Sequence, residues 1–182
     1  MSLQTAKIAN LIRNNFSKII KDAKYLKGIP HLMFNMKRKK KGLLSFDGYK
    51  HCGPLCLSTY KLLKKHNYDC DVFKCRTSFR FGNEEHIYIQ YNNIIIDPSY
   101  KQFVKYDFPL YYNSFYQNIL YNNYEDFYVG SKENLFKFFN NMIKLHIKTQ
   151  GNYGNSIEVI ESYYKNPISY TKLYDKDIKL LK

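Results

Sequence analysis

Residues 85–97, EHIYIQYNNIIID, constrain this chain more than any other stretch. Apolar side chains alternate at Ile87, Ile89 and Tyr91, two asparagines interrupt them, and Ile94 and Ile96 resume the alternation. Asparagine tolerates positive φ, so Asn92-Asn93 suits a two-residue hairpin turn. That turn sets the register: Tyr91 opposite Ile94, Gln90 opposite Ile95, Ile89 opposite Ile96 and Tyr88 opposite Asp97. Side chains alternate between faces along a strand, so Ile87, Ile89, Tyr91, Ile94 and Ile96 share the core-facing side. Asp97 then lies with Tyr88 and His86 on the other side. It is diagonal to His86 at a backbone separation of roughly 7–8 Å, within side-chain reach. A slip of one residue would undo both results.

Helical patterns flank this hairpin. Ile8, Leu11, Ile12, Phe16, Ile19, Ile20 and Ala23 recur at helical spacing, which predicts a core-facing helix over 2–26. Ser2 is its N-cap, and Gly28-Ile29-Pro30 ends it. A second helix is expected from about Gly53 to His66, with Pro54 in the first turn, where a missing N–H costs nothing. Leu55, Thr59, Leu62 and Leu63 give it a buried face. Strand-like segments follow at 68–74, 85–91 and 94–97. A third helix is expected over 131–148, capped by Ser131, with Leu135, Phe138, Phe139, Met142 and Ile143 turned inward. Ile157–Tyr164 reads as a short helix ended near Asn166-Pro167, and the charged tail from Leu173 reads as frayed. Residues 30–51 and 152–156 read as loops, and 106–128 as short strands or loops. The pattern is that of an α+β fold, with N-terminal helices packed on an antiparallel sheet.

At 182 residues, 45% of them hydrophobic, the chain can build one core, and no repeat or domain boundary divides it. One domain is expected over 1–182, with the core of the site within about 45–150. The net charge of +14 is unevenly placed. Residues 1–50 hold twelve Lys or Arg against Asp22 and Asp47, and the densest run is Lys37-Arg38-Lys39-Lys40-Lys41. A solvated surface is the default for such a run, and an acidic partner or nucleic acid is the alternative. No apolar run approaches the ~20 residues that span a bilayer, and no leader pattern opens the sequence. The expected setting is the reducing cytoplasm, or a virion if the Lys-, Asn-, Ile- and Tyr-rich composition reflects the AT-rich genome of a large DNA virus. The four cysteines are then expected as free thiols.

Chemistry concentrates at His51-Cys52-Gly53-Pro54-Leu55-Cys56. A cysteine opening a helix faces the positive end of the helix dipole, which favours thiolate over thiol. Gly53 admits close approach of a substrate backbone. The N–H groups of the first turn have no intrahelical partner and can receive a developing oxyanion. A nucleophile needs a base, and the base needs an orienting group. The hairpin register supplies both, with His86 as base and Asp97 as orienter. Cys52, Cys56, Cys70 and Cys75 with His51 or His66 also approach metal-ligand spacing, but they form no standard knuckle. The reading adopted requires no metal and no organic cofactor.

The order Cys52, His86, Asp97, with the cysteine opening a helix and the other two on adjacent strands, resembles the papain-like and transglutaminase-like cysteine enzymes. Glu85–Ile89 and Ile94–Phe103, with Asp97-Pro98-Ser99, are similar to the histidine strand and "D-P-T" strand of small members of that superfamily. The resemblance spans about residues 50–103. It implies a papain-like core and a thiol-dependent amide hydrolase or acyl transferase acting on a protein or peptide, with Cys52, His86 and Asp97 as the triad. The sequence departs from that pattern where papain-like enzymes place a glutamine six residues before the cysteine, since Phe46 stands there. Tyr49, Lys50, His51 or backbone N–H groups remain as oxyanion donors. The alternative is a basic nucleic-acid-binding or structural protein with an inactive papain-like fold.

Overall fold

The alternation across Asn92-Asn93 produces an antiparallel strand pair. The computed structural model describes residues 2–25, 52–79, 82–105, 123–150 and 157–180. In it, β1 (Asp71–Phe79), β2 (Gly82–Tyr91) and β3 (Ile94–Asp97) run in succession. Tyr91 pairs with Ile94, Gln90 with Ile95 and Ile89 with Ile96, as the turn predicts. Asn92 takes the positive φ, 51°. On its other side β2 pairs with β1, which sets Cys75 opposite His86. β1 begins at Asp71 rather than Tyr68 and continues to Phe79, and β2 begins at Gly82 rather than Glu85. The extension runs through polar Arg76, Thr77 and Ser78, where pairing with β2 forms the strand and apolar alternation gives no signal.

Two further strands escape periodicity because they have three and two residues: β4 (Tyr128–Gly130) and β5 (Ile168–Ser169). β4 pairs with β3 and β5 with β1, which completes an antiparallel sheet of order β4-β3-β2-β1-β5.

Helices cover both faces of this sheet. On one, α1 (Leu3–Tyr25) and α2 (Cys52–Lys65) bury Ile8, Ile12, Ile19, Leu55 and Leu63 against Val72, Ile87, Ile89 and Ile96. Each such side chain removed from water stabilises the fold by about 1.5–3 kcal/mol. Ser2 caps α1, its Oγ accepting from the Thr5 N–H at 3.2 Å. The predicted end of α1 at Gly28-Ile29-Pro30, the basic run 37–41 and the loop 152–156 lie outside the described residues.

The other face, which the hairpin pattern leaves polar, is a second core. Tyr88 and Ile95 pack there with Leu135, Phe138, Phe139 and Met142 of α4 (Lys132–Gln150), with Ile160 of α5 (Ile157–Ser162), and with Tyr163 and Tyr164 beyond it. Ser131 caps α4 as expected, accepting from the Asn134 N–H at 3.3 Å. The one-turn α3 (Gln102–Lys105) follows β3.

The tail is not frayed. It forms α6 (Thr171–Leu180), because Tyr174 and Ile178 turn inward while its lysines face out. The Tyr174 hydroxyl donates to the Gly53 carbonyl at 3.1 Å, and Tyr60 of α2 donates to Asp175 at 2.7 Å. Among the described residues no helix is long and apolar enough to cross a membrane.

Candidate active site

Three elements converge at the N-terminal tip of α2. Cys52 is the first residue of that helix and is partly exposed. The N–H groups of Cys52 and Gly53 precede the first intrahelical bonds, and Pro54 has none to leave unpaired. Tyr174 fixes this turn through the Gly53 carbonyl. One turn along, the buried Cys56 thiol donates to the Ile87 carbonyl at 3.0 Å and pins α2 to β2 beside His86. Burial, then the charges of Asp97 and Cys52, push the Cys56 thiol well up, so it stays protonated and structural.

His86 is fully buried on β2. Its ring stands edge-on to Phe103 at 4.7 Å and to Tyr164 at 5.3 Å, and it stacks on Tyr88 at 6.2 Å. Nε2 lies 2.7 Å from Asp97 Oδ2, and the Cys52 side chain is near enough to act on the same ring. Burial works against a charged imidazole. The Asp97 carboxylate and the Cys52 sulfur outweigh it and push the ring's pKa up to about 9.

Asp97, also fully buried, ends β3 and accepts four hydrogen bonds. Oδ1 takes the Ser99 N–H at 2.8 Å and the Ser99 hydroxyl at 3.0 Å. Oδ2 takes the His86 Nε2–H and the Tyr164 hydroxyl, the latter at 2.6 Å. Burial alone would raise this carboxyl. The His86 ring, then Tyr164 and Ser99, hold it below the usual carboxylate range. A carboxylate can only accept, so His86 Nε2 carries a hydrogen and Nδ1 is the nitrogen left to face Cys52.

Comparison with known proteins returned nothing: no family model matches, and no curated protein or solved structure is significantly similar.

The structure thus brings together all three residues singled out from the sequence: Cys52 at a helix tip, His86 within its reach, and Asp97 bound to the ring. Such a set can pass a proton from sulfur to Nδ1 while Nε2 stays bound to the carboxylate. Sequence reasoning missed Ser99, Gln102, Tyr164 and Tyr174. Ser99 carried a local signal, since an aspartate two residues before a serine often accepts from it in a turn. Tyr164 and Tyr174 carried none, being 67 residues after Asp97 and 121 after Gly53. The suggested oxyanion donors Tyr49, Lys50 and His51 lie outside the described residues, as does Phe46. Among the described residues no three His, Cys, Asp or Glu side chains are grouped to hold a metal ion.

Proposed function

We propose that the protein is a thiol-dependent amide hydrolase or acyl transferase of papain-like architecture acting on a protein or peptide. The reading rests on one observation: a cysteine at a helix tip acts on a buried imidazole that is bound at 2.7 Å to a buried carboxylate. In the reaction, His86 Nδ1 takes the Cys52 S–H proton and the sulfur adds to a carbonyl carbon. The C–N bond then breaks as the amine leaves with the proton from Nδ1. The thioester that remains is released by water or by an acceptor amine, with His86 removing the proton of either. Free N–H groups at the α2 tip stabilise the tetrahedral oxyanion. The test is labelling with electrophilic peptide and ubiquitin-type probes, followed by identification of the modified residue. Labelling at Cys52 that disappears in Cys52→Ala and His86→Ala supports the proposal. Labelling elsewhere, or none, overturns it.

A second reading has its own observation. Lys7, Lys18 and Lys21 are exposed along α1, whose only acidic residue is Asp22. A basic nucleic-acid-binding protein with an idle site would bind DNA or RNA with steep salt dependence, and Cys52→Ala would leave that binding unchanged.

A further inference from the structure

Tyr164 lies 67 residues beyond Asp97, yet its hydroxyl reaches the carboxylate oxygen that holds the base. The two oxygens of Asp97 are used differently. Oδ1 is taken by the Ser99 N–H and hydroxyl, both from the turn that follows β3. Oδ2 is shared: the His86 Nε2–H meets it at 2.7 Å and the Tyr164 O–H at 2.6 Å. A carboxylate can only accept, so the single Tyr164 hydroxyl hydrogen points at Oδ2. The tyrosine is fixed in place. Its N–H donates to the Glu161 carbonyl at 3.0 Å, and its own carbonyl accepts from Lys132 Nζ at 2.9 Å. Its ring packs against Tyr88 at 5.3 Å and Phe136 at 5.8 Å, and the residue is fully buried.

Two donors on one oxygen divide its charge. The positive end of the Tyr164 O–H dipole also lies beside the His86 ring, whose centroid is 5.3 Å from that of Tyr164. Both effects weaken the carboxylate's pull on a charged imidazole. An acid–base group works best with its pKa near the working pH, and Asp97 carries the ring above that, up to about 9. Both ring nitrogens then carry hydrogens at neutral pH, and what matters is how tightly the second is kept. We propose that Tyr164 is a positioning residue of the base: by sharing Asp97 Oδ2 with His86 it limits the carboxylate's hold on the charged ring, so that the ring gives its proton to a leaving amine more readily. This rests on the triad reading and deepens it.

Several groups stand around His86 and Asp97 and enter the titration: Cys52 and Cys56 from α2, Cys75 from β1, Tyr88 on the histidine's own strand, and Tyr163 and Tyr164 beyond α5. Tyr100 feels the charge of Asp97, and Lys132 of α4 acts on Cys75. Tyr164 alone among these donates to the oxygen that binds the ring.

The experiment compares wild type with Tyr164→Phe and with Phe103→Leu, which loosens packing on the His86 ring but leaves Asp97 its donors. The His86 protonation midpoint is read from its ring ¹⁵N shifts, in the native chain and in Cys52→Ala. A hydrogen bond of ordinary strength corresponds to roughly a three- to ten-fold change in proton affinity, or about half to one pH unit. Tyr164→Phe should raise the midpoint by that amount, and Phe103→Leu should not raise it. A midpoint that stays put or falls in Tyr164→Phe overturns the proposal, as does an equal rise in Phe103→Leu. Should Tyr164→Phe not fold, the wild type decides. The Tyr164 ¹³Cζ shift follows the strength of the hydroxyl's hydrogen bond, and it should move downfield as the ring loses its charge. A shift that ignores the His86 midpoint overturns the proposal. Cys52 alkylation by iodoacetamide that ignores His86→Gln would overturn the triad reading, while the ¹⁵N midpoint in Cys52→Ala would still decide the role of Tyr164.

Discussion

Tyr164→Phe is the sharpest perturbation the site offers, since it removes one oxygen and keeps the ring. The lost atom is a 2.6 Å donor to the buried Asp97 carboxylate, on the oxygen that also holds His86. Hydrogen bonds to charged groups contribute about 1.5–3 kcal/mol, and both partners of this one are fully buried. For a chain of this length that corresponds to a fall in Tm of roughly 3–10 °C. The loss should depend on pH, with a sign that follows from Asp97. Its pKa is depressed in the folded state, so the stability it carries is present above the ordinary carboxylate value and is lost as pH falls through the folded value. Tyr164→Phe should therefore cost most near pH 7 and progressively less below pH ~4. Urea denaturation of wild type and variant at pH 7 and pH 3 measures both points. An equal loss at the two pH values would place the effect in ring packing against Phe139 and Tyr88 and refute the electrostatic reasoning. No loss at pH 7 would refute it outright.

His86 titrates in the opposite sense. Its raised pKa makes the charged ring's contribution whole below pH ~6.5 and lost as pH rises through about 9, so the wild-type urea midpoint should fall across that window and that of His86→Gln should not. Asp97→Asn strands Ser99, His86 and Tyr164 around a group that no longer only accepts. A cost of about 3–5 kcal/mol is expected from urea unfolding, with the His86 tautomer no longer held in ¹⁵N spectra. Tyr174→Phe removes the 3.1 Å donor to the Gly53 carbonyl, and about 1 kcal/mol of stability should go with it. Cys52 alkylation should slow by more than an unrelated α6 substitution of equal cost, because the turn that aims the sulfur is loosened.

Much of the site was legible because its parts are local. Ile87, Ile89, Tyr91, Ile94 and Ile96 admit one register about Asn92-Asn93, and that register brings Asp97 beside His86 within twelve residues. Cys52 was legible through Gly53-Pro54, which marks a helix start. What escaped was long-range or short. β4 and β5 exist as three- and two-residue ladders on strands that were already formed, and no periodicity survives at that length. The second core escaped because His86, Tyr88 and Asp97 read as the polar side of a hairpin. Phe138, Phe139, Tyr163 and Tyr164 turn that side into an interior, and only their folded positions show it. The tail was misread for the same reason: Tyr174 and Asp175 look like part of a charged end until Gly53 and Tyr60 supply their partners.

The second core changes what Asp97 signifies. An aspartate on an exposed sheet face costs little and means little. A fully buried carboxylate must be stripped of water, and its partners rarely restore the whole of that loss. A well-packed apolar side chain would serve stability as well or better. Yet here a buried carboxylate has a complete set of four donors, contributed by β2, by the turn after β3 and by residue 164. Two of those donors, the Ser99 hydroxyl and His86, also lie against Gln102, whose Nε2 is 3.2 Å from Ser99 Oγ and 3.2 Å from His86 Nδ1. Stability alone does not call for a buried carboxylate at this place, however fully its oxygens are satisfied. Such a carboxylate behind an imidazole is what the proposed transfer of a proton from Cys52 to His86 calls for, and that is why the cluster supports the proposed reading.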